Sequence, residues 1–95
     1  MRFEWSATKA RQNFVKHGVP FELARRVWND PLHVIVLDRI ENGEQRWHAI
    51  GSVSEVVLLV VVHTYPAEDD SGWIRIIGAR RATPAERRRY EEDAI

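Results

Sequence analysis

The sequence has no cysteine, a single methionine and only five glycines among its 95 residues. The absence of cysteine argues against disulfides, thiolate metal sites and secretion. Long apolar runs are also missing, since the longest, residues 56–62, falls far below the roughly 20 residues that a transmembrane helix needs. No basic segment followed by an apolar run resembles a signal peptide, so we expect a cytoplasmic protein.

An excess of charge of either sign is lacking as well. Fourteen Lys and Arg side chains balance fourteen Asp and Glu, which argues against a polybasic nucleic-acid binder. The charges are nevertheless unevenly placed: residues 75–90 hold six of the twelve arginines and one acid, Glu86, whereas residues 38–70 hold two bases and seven acids. A local anion site is therefore compatible with a neutral protein.

Repeats, linkers and low-complexity tracts are absent, so the sequence predicts a single domain over residues 1–95. Ser6 and Gly18 are suited to cap a first helix, and Asn42-Gly43 predicts a tight hairpin turn. Thr83 to Glu86 forms a capping box with proline at the first helical position, which predicts a last helix to about residue 92.

Hydrophobic periodicity supplies the other elements: a second helix from about Pro20 to residue 28, and strands over residues 1–5, 32–38, 45–51, 56–64 and 73–80. The order β-α-α-β-β-β-β-α predicts an α+β fold. We expect the helical hairpin and the C-terminal helix to pack on one face of a mostly antiparallel sheet of four to five strands. The other face would then be left for function.

Strand alternation supplies candidate side chains for that face. Arg46 and His48 share one side of their strand, and Arg75 shares a side with Ala79 on another. His63 lies on the strand predicted between them. If these sides coincide, arginines and two histidines meet beside the basic C-terminal segment and form a site for a phosphate, which arginine binds through paired hydrogen bonds.

Simpler interpretations stand beside this one. Arginine outnumbers lysine twelve to two throughout the chain, and Arg87, Arg88 and Arg89 are consecutive, so they cannot all face one ligand on a helix. His63 could be a buried histidine satisfied by hydrogen bonds, and the four tryptophans most often belong to the core. The four histidines show no metal-ligand spacing, so we expect no metal and no other cofactor.

The segments FEWSATKARQNFVKHGVPFELA, QRWHAIG, LLVVVHT and RIIGARRATPAERRRYE together resemble the BrnT family, the toxins of the BrnT/BrnA type II toxin–antitoxin systems. The resemblance implies a RelE-like ribonuclease fold and RNA cleavage that inhibits translation. It also implies neutralisation by a BrnA-type antitoxin, and the toxin would contact operon DNA only through this antitoxin. A homodimer within the complex is also compatible with it. Pro20 and Gly78 stand where the family usually has serine, and the loop 65–72 is longer and more acidic than usual.

Our first hypothesis is a metal-independent endoribonuclease acting through the ribose 2′-OH, which needs a base, an acid and stabilisation of the developing phosphate charge. The candidates for phosphate stabilisation and proton transfer are Arg46, Arg75, Arg80, Arg81, His63 and Tyr90, and those for RNA binding are Lys16, His48, Arg87 and Arg88. The alternatives are a non-catalytic module that binds nucleic acid or the antitoxin, and an inactive dimeric scaffold.

Overall fold

A computed structural model of the chain describes residues 1–66 and 72–93. The elements follow in the order β1 (Arg2–Glu4), α1 (Ala7–His17), α2 (Phe21–Ala24), a 3₁₀ helix (Arg25–Asn29), β2 (Val34–Glu41), β3 (Glu44–Ser52), β4 (Leu58–Thr64), β5 (Trp73–Arg81) and α3 (Pro84–Asp93). The strands form one sheet in the order β1-β5-β4-β3-β2, and among the described pairs β1 and β5 run parallel while the others are antiparallel. The α+β prediction is confirmed. Residues 67–71 of the acidic loop lie outside the described residues.

The capping signals in the sequence have the expected geometry. The Ser6 hydroxyl accepts a hydrogen bond from the backbone N–H of Lys9 at 3.3 Å, and Gly18 ends α1 in the left-handed conformation with φ 71°. Asn42 and Gly43 both have positive φ, 53° and 78°, as a two-residue hairpin turn with the twist of its strands requires.

The capping box at the start of α3 is also formed. The Thr83 hydroxyl accepts from the Glu86 N–H at 3.2 Å, and the Glu86 carboxylate accepts from the Thr83 N–H at 2.9 Å. Two N–H groups that a helix start leaves without intrahelical partners are thereby satisfied by side chains.

The second predicted helix is shorter than expected. Only Phe21–Ala24 is α-helical, and the chain then tightens into the 3₁₀ helix. Three residues per turn bring Ala24 and Val27 onto one side, and both side chains are fully buried in the core with Phe21. Packing against the sheet therefore overrides the regular helical period there.

Strand β4 is buried on both sides, as the apolar sequence predicted. Leu59 and Val61 belong to the core beneath α1 and α2, whereas Leu58 and Val60 belong to a second cluster on the opposite side of the sheet. We call these sides the α1–α2 face and the α3 face. Each fully buried Val or Leu side chain contributes about 1.5–3 kcal/mol to the transfer free energy that drives folding.

The expectation that all helices share one face is wrong. Tyr90 of α3, together with Ala82 just before the helix, packs against Ile50, Leu58 and Val60 on the face opposite α1 and α2. Because β4 is apolar on both sides, each side needs a cover, and α3 supplies the second one. The face proposed for function is therefore only partly open.

Candidate nucleic-acid interface

The strand register brings four of the predicted site residues to the α3 face. His48 pairs with Val62, Val62 pairs with Gly78, and Val60 pairs with Arg80, so these side chains share the side that carries Val60. Thr64 pairs with Arg75, and Arg46 lies two residues before His48 on β3. Arg46 and His48 on β3 and Arg75 and Arg80 on β5 thus flank β4 on the α3 face. Arg80 lies beside the cluster that α3 covers, and the other three lie beyond it.

An irregularity in β5 decides which residues belong to this set. His63 pairs with Ile76 but its neighbour Val62 pairs with Gly78, so one extra residue sits in β5 at that point. The extra residue shifts the alternation, and Ala79 is buried in the α1–α2 core instead of lying on the side of Arg75. The predicted sharing of one side by Arg75 and Ala79 is therefore wrong.

Ordinary alternation separates the two neighbouring arginines, and the shift decides which of them lies on the α3 face. Arg81 pairs with Leu59, which lies on the α1–α2 face, whereas Arg80 pairs with Val60 on the α3 face. Neighbouring strand residues always point to opposite faces. The structure therefore does not bring the predicted site residue Arg81 together with Arg80.

A side chain on α1 supports β5 where its regular pairing is interrupted. The Asn13 amide donates to the carbonyl of Ala79 at 2.9 Å and accepts from the Ala79 N–H at 3.0 Å. Strand β1 pairs only with residues 73–75 of β5. Farther along this edge, the Asn13 side chain makes the two backbone hydrogen bonds that a neighbouring strand would otherwise make. The position of Arg80 next to Ala79 is fixed in this way.

Each basic side chain of the set has an acidic partner. The Arg80 guanidinium makes two parallel hydrogen bonds, of 2.7 and 2.8 Å, to the two carboxylate oxygens of Glu86. The other contacts join Arg46 Nη1 to Glu41 at 2.9 Å, His48 Nε2 to Asp38 at 3.4 Å and Arg75 Nη2 to Glu4 at 3.5 Å. The surface is therefore rich in charge but has little net charge.

The Arg80–Glu86 pair is the strongest of these contacts. Its hydrogen bonds, helped by the Thr83 N–H, lower the pKa of Glu86 to about 2, and the same pair raises the pKa of Arg80. Two-point contact with a carboxylate fixes the plane of the guanidinium, while the Nε–H remains available because an arginine offers five N–H donors. Glu86 therefore both caps α3 and orients Arg80.

His63 lies on the opposite side of the sheet from this surface. It pairs with Trp47 and Ile76, is completely buried, and packs edge-on against Trp28 with ring centroids 4.9 Å apart. Burial lowers its pKa to about 4, which keeps the imidazole neutral at neutral pH. The expected meeting of His63 with Arg46 and His48 is therefore wrong, because the side-chain period of a strand is two.

Tyr90 holds α3 to the body of the protein. Its hydroxyl donates to Asp30 Oδ2 at 2.6 Å, and the same carboxylate accepts from the N–H groups of Ser52 and Leu32. Burial and this bond raise the pKa of Tyr90 to about 12. Partial burial alone would raise the pKa of Asp30, but its hydrogen bonds outweigh burial and lower it.

Replacing Tyr90 with phenylalanine is expected to lower the free energy of unfolding by about 1.5 kcal/mol, because a hydrogen bond to a charged carboxylate is lost while the ring remains. Urea denaturation at pH 7 measures the change. Arg89→Ala, which breaks the exposed Arg89–Asp93 pair in the same helix, should cost less than about 0.5 kcal/mol. Equal effects of the two variants would contradict an anchoring role for Tyr90.

The remaining predicted RNA-binding residues lie at the edges. Lys16 is exposed in the last turn of α1, on the opposite face from Arg80. Arg87 and Arg88 are exposed on α3 and extend the basic character of the side that this helix covers. Of the predicted residues Lys16, Arg87 and Arg88, the two arginines lie on the same side of the sheet as the four-residue set, and Lys16 does not.

Three polar atoms beside the set make no geometrically regular hydrogen bond among the described residues: the hydroxyl of Thr64, which is completely buried, Nε of Arg46, and Glu41 Oε2, which is in ion-pair contact with Arg46. Sequence reasoning missed Thr64, although its pairing with Arg75 places it within the set. It also missed the acids that orient the cations, such as Asp38. Glu41 and Glu86 lie close in the sequence to the arginines they contact, whereas nothing in the sequence connects Glu4 with Arg75.

Glycine at position 78 shapes the surface between His48 and Arg80. A Cβ built there would have only ordinary contacts, 3.7 Å to Asn13 Oδ1 and 3.8 Å to the Val62 side chain. Val62 and Gly78 are neighbours on the same side of the sheet, so together they leave a low floor between the flanking cations. A planar or tetrahedral anion has space above this floor.

The described residues contain no group of three or more His, Asp or Glu side chains placed to hold a metal ion. None of the helices in residues 1–66 and 72–93 is long and apolar enough to span a membrane.

Comparison with known proteins agrees with this architecture. The family model for the BrnT ribonuclease toxin of type II toxin–antitoxin systems matches residues 5–86. The fold is similar to that of the crystal structure of the Brucella abortus ribonuclease toxin BrnT, with a TM-score of 0.67 and 19% identity over 87% of this chain and 97% of that chain. No curated protein sequence matches the chain. The family match spans most of the chain, which therefore belongs to the BrnT family of ribonuclease toxins of type II toxin–antitoxin systems.

Proposed function

We propose that the protein is a metal-independent endoribonuclease that cleaves RNA in the cytoplasm and thereby inhibits translation. The observation that carries the proposal is the register of β3, β4 and β5, which places Arg46, His48, Arg75 and Arg80 on one side around Val62 and Gly78. Strands lie about 4.8 Å apart, so side chains on β3 and β5 are separated by about 10 Å at their Cα atoms. Arg46 and Arg75 face each other across that gap beside Thr64, whereas Arg80 lies about 13 Å farther along, beside Val60. Long side chains that reach toward Val62 and Gly78 can contact one phosphate group or two adjacent ones.

The chemistry needs no group beyond these side chains. Attack of the ribose 2′-OH on the neighbouring phosphorus forms a 2′,3′-cyclic phosphate and breaks the bond to the 5′-oxygen of the next nucleotide. It requires removal of the hydroxyl proton, places additional negative charge on the phosphate oxygens, and returns a proton to the departing 5′-oxygen through the same proton carrier. In our proposal Arg80, with Arg46 and Arg75, stabilises that charge. His48 replaces His63 as the proton carrier, because its side chain lies on the same side and retains 17% exposure.

The acidic partners have a defined place in this mechanism. Asp38 lies 3.4 Å from Nε2 of His48 and holds the imidazole in place, and Glu86 fixes the plane of Arg80. Carboxylates that hold cations in position reduce the reorganisation needed when the phosphate arrives. They also weaken general attraction for nucleic acid, so binding relies on contacts at the site.

The family implies an antitoxin partner, and we propose that a BrnA-type antitoxin neutralises the protein by covering this side of the sheet. Arg87 and Arg88 on α3 are exposed beside the site and available to acidic side chains of a partner. One protein surface would then serve both the RNA and the inhibitor. Contact with operon DNA would run through the antitoxin.

The proposal is tested with purified, antitoxin-free protein and a labelled single-stranded RNA in EDTA, using position 78 to block the site without removing a charge. Gly78→Leu places a bulky side chain on the floor between His48 and Arg80, and we expect cleavage to fall more than about tenfold, since misplacing a reacting group by about an ångström has effects of that size or larger.

Gly78→Ala is the matched control, because its Cβ fits at ordinary contact distance and cleavage should stay within about twofold of the wild type. Cleavage by the wild-type protein that disappears in EDTA would contradict metal independence. RNA binding without any cleavage would instead support the non-catalytic interaction module. Equal cleavage by both Gly78 variants would place the reaction elsewhere on the molecule.

A further inference from the structure

A second concave surface lies at the end of the sheet where the β2–β3 hairpin meets the end of β4. It is a cavity of about 630 Å³, within the range of small-molecule sites. Its lining includes Ile40, Glu44, Gln45, Trp47, Tyr65 and Pro66. None of these residues belongs to the set Arg46, His48, Arg75 and Arg80, which we call the phosphate-binding set.

Two aromatic rings form the apolar part of this cavity. Trp47 and Tyr65 meet edge to face, with ring centroids 6.0 Å apart and planes at 66°. Tyr65 is 42% exposed and Trp47 is half-buried, so part of each ring is accessible to a ligand. Exposed aromatic faces beside a nucleic-acid site are the usual platforms on which single-stranded bases stack.

The orientation of Tyr65 is fixed from beneath by the buried histidine. His63 Nδ1 lies 3.1 Å from the carbonyl of Val61, which can only accept, so Nδ1 carries the proton. Nε2 is then an acceptor and receives the hydrogen bond of the Tyr65 hydroxyl at 3.2 Å. His63 is therefore a positioning residue for the aromatic wall, and this gives the predicted site residue a use that does not require contact with RNA.

The polar groups of the cavity select the kind of ligand. Glu44 and Gln45 are exposed at its rim, their side chains have no partner among the described residues, and the lining that residues 1–66 and 72–93 provide includes no basic side chain. A carboxylate without a neighbouring cation repels phosphate but accepts hydrogen bonds from a base. Guanine presents two adjacent N–H donors on its Watson–Crick edge, which match the two oxygens of a carboxylate.

The cavity meets the phosphate-binding set at the end of the sheet, although Trp47 and Tyr65 lie on the face that carries His63 and the arginines lie on the other. Trp47 and His63 are paired across β3 and β4, and the next residues toward the sheet end are Arg46 and Thr64, of which Thr64 pairs with Arg75. An RNA strand bound at the arginines would therefore pass around the end of the sheet to bring another of its bases to the aromatic rings on the other face. Phosphate and base recognition would share a single RNA strand.

From this geometry we propose that the Trp47–Tyr65 cavity binds one base of the single-stranded RNA, a guanine held by stacking on Tyr65 and by hydrogen bonds to Glu44. The inference rests on the proposed RNA-cleaving function and extends it to the recognition of sequence. It assigns base selection to the end of the sheet and chemistry to the α3 face.

The test uses two labelled RNAs, an octamer of uridine and the same octamer with one central guanosine, and measures binding by fluorescence anisotropy together with cleavage. We expect the single guanosine to strengthen binding to the wild-type protein by about tenfold, the discrimination that one good pair of hydrogen bonds to a base provides. Tyr65→Leu should abolish this gain, whereas Tyr65→Phe, which keeps the ring, should retain most of it. Glu44→Gln should reduce the preference for guanosine over adenosine.

The outcomes separate this inference from the proposed function. A guanosine gain that Tyr65→Leu removes supports the cavity even if neither RNA is cleaved, in which case only the catalytic proposal fails. Equal binding of the two RNAs by the wild-type protein, or a gain that survives in folded Tyr65→Leu protein, overturns the inference. A Tyr65→Leu variant that binds RNA normally but binds the antitoxin more weakly would also overturn it and assign the cavity to the protein interface.

Discussion

Arg80→Ala is expected to lower the rate of RNA cleavage by about 100-fold or more, because removing one contact to charge that develops in the transition state has effects of this size. Arg80 is the side chain of the set that is held most firmly, by two hydrogen bonds to Glu86 and by its position next to the anchored Ala79. Growth arrest on overexpression should be relieved in parallel. The measurement is the single-turnover cleavage rate of a labelled RNA.

Two matched variants separate catalysis from simple charge and from folding. Arg81→Ala removes an adjacent arginine of the same strand that points to the other face, so its cleavage rate should remain within about threefold of the wild type. Glu86→Gln breaks the ion pair and weakens the cap of α3 but leaves the Arg80 charge in place. If Arg81→Ala is as inactive as Arg80→Ala, or if the Arg80 variant stays fully active, the assignment of Arg80 to the site is wrong.

Local signals in the sequence predicted the frame of the fold well. The capping box at Thr83, the hairpin turn at Asn42 and the ends of α1 at Ser6 and Gly18 all depend on residues within one turn of each other, where backbone geometry and hydrogen bonding act directly. Such signals are independent of how distant segments meet. The order of elements could therefore be predicted from the residues alone.

The composition of the site was harder to predict because it depends on register between strands. One extra residue in β5 between Ile76 and Gly78 moves Ala79 into the core and turns Arg80 outward. The alternation of side chains in the sequence cannot show where an extra residue interrupts a strand, because no residue type at this position of β5 marks the irregularity. Arg46 and Arg75 lie together on one side as expected, whereas His63 and Arg81 do not.

The acidic residues explain how an arginine-rich site fits a neutral protein. Glu4, Asp38, Glu41 and Glu86 come from three separate elements, β1, β2 and α3, and each contacts a basic residue of the set. Clustered cations repel one another and destabilise the fold unless their charges are balanced. The balance also limits indiscriminate attraction to nucleic acid, so selectivity has to come from shape, orientation and base contacts.

Buried His63 should make the protein less stable in mild acid. Burial lowers its folded-state pKa to about 4 from 6.5, so between pH 6.5 and 4 the unfolded chain binds a proton that the folded protein does not. Stability is therefore complete above pH 6.5 and is lost as the pH falls through this window. From the size of the shift we expect the free energy of unfolding to be about 2 kcal/mol lower at pH 5 than at pH 7.

Urea denaturation at pH 5, 6 and 7 measures this loss, and the choice of window separates His63 from the carboxylates. The pKa values of Glu86 and Asp30 are lowered in the folded protein, so the stability they contribute is lost only below their ordinary values of 4.5 and 3.8. His63→Gln should be less stable at pH 7 but have a flatter dependence on pH, whereas His17→Gln, which removes an exposed imidazole, should keep the wild-type slope. If the pH dependence of the free energy of unfolding is unchanged in His63→Gln, the acid sensitivity arises elsewhere. The buried imidazole would then not be the neutral acceptor on which the orientation of Tyr65 depends.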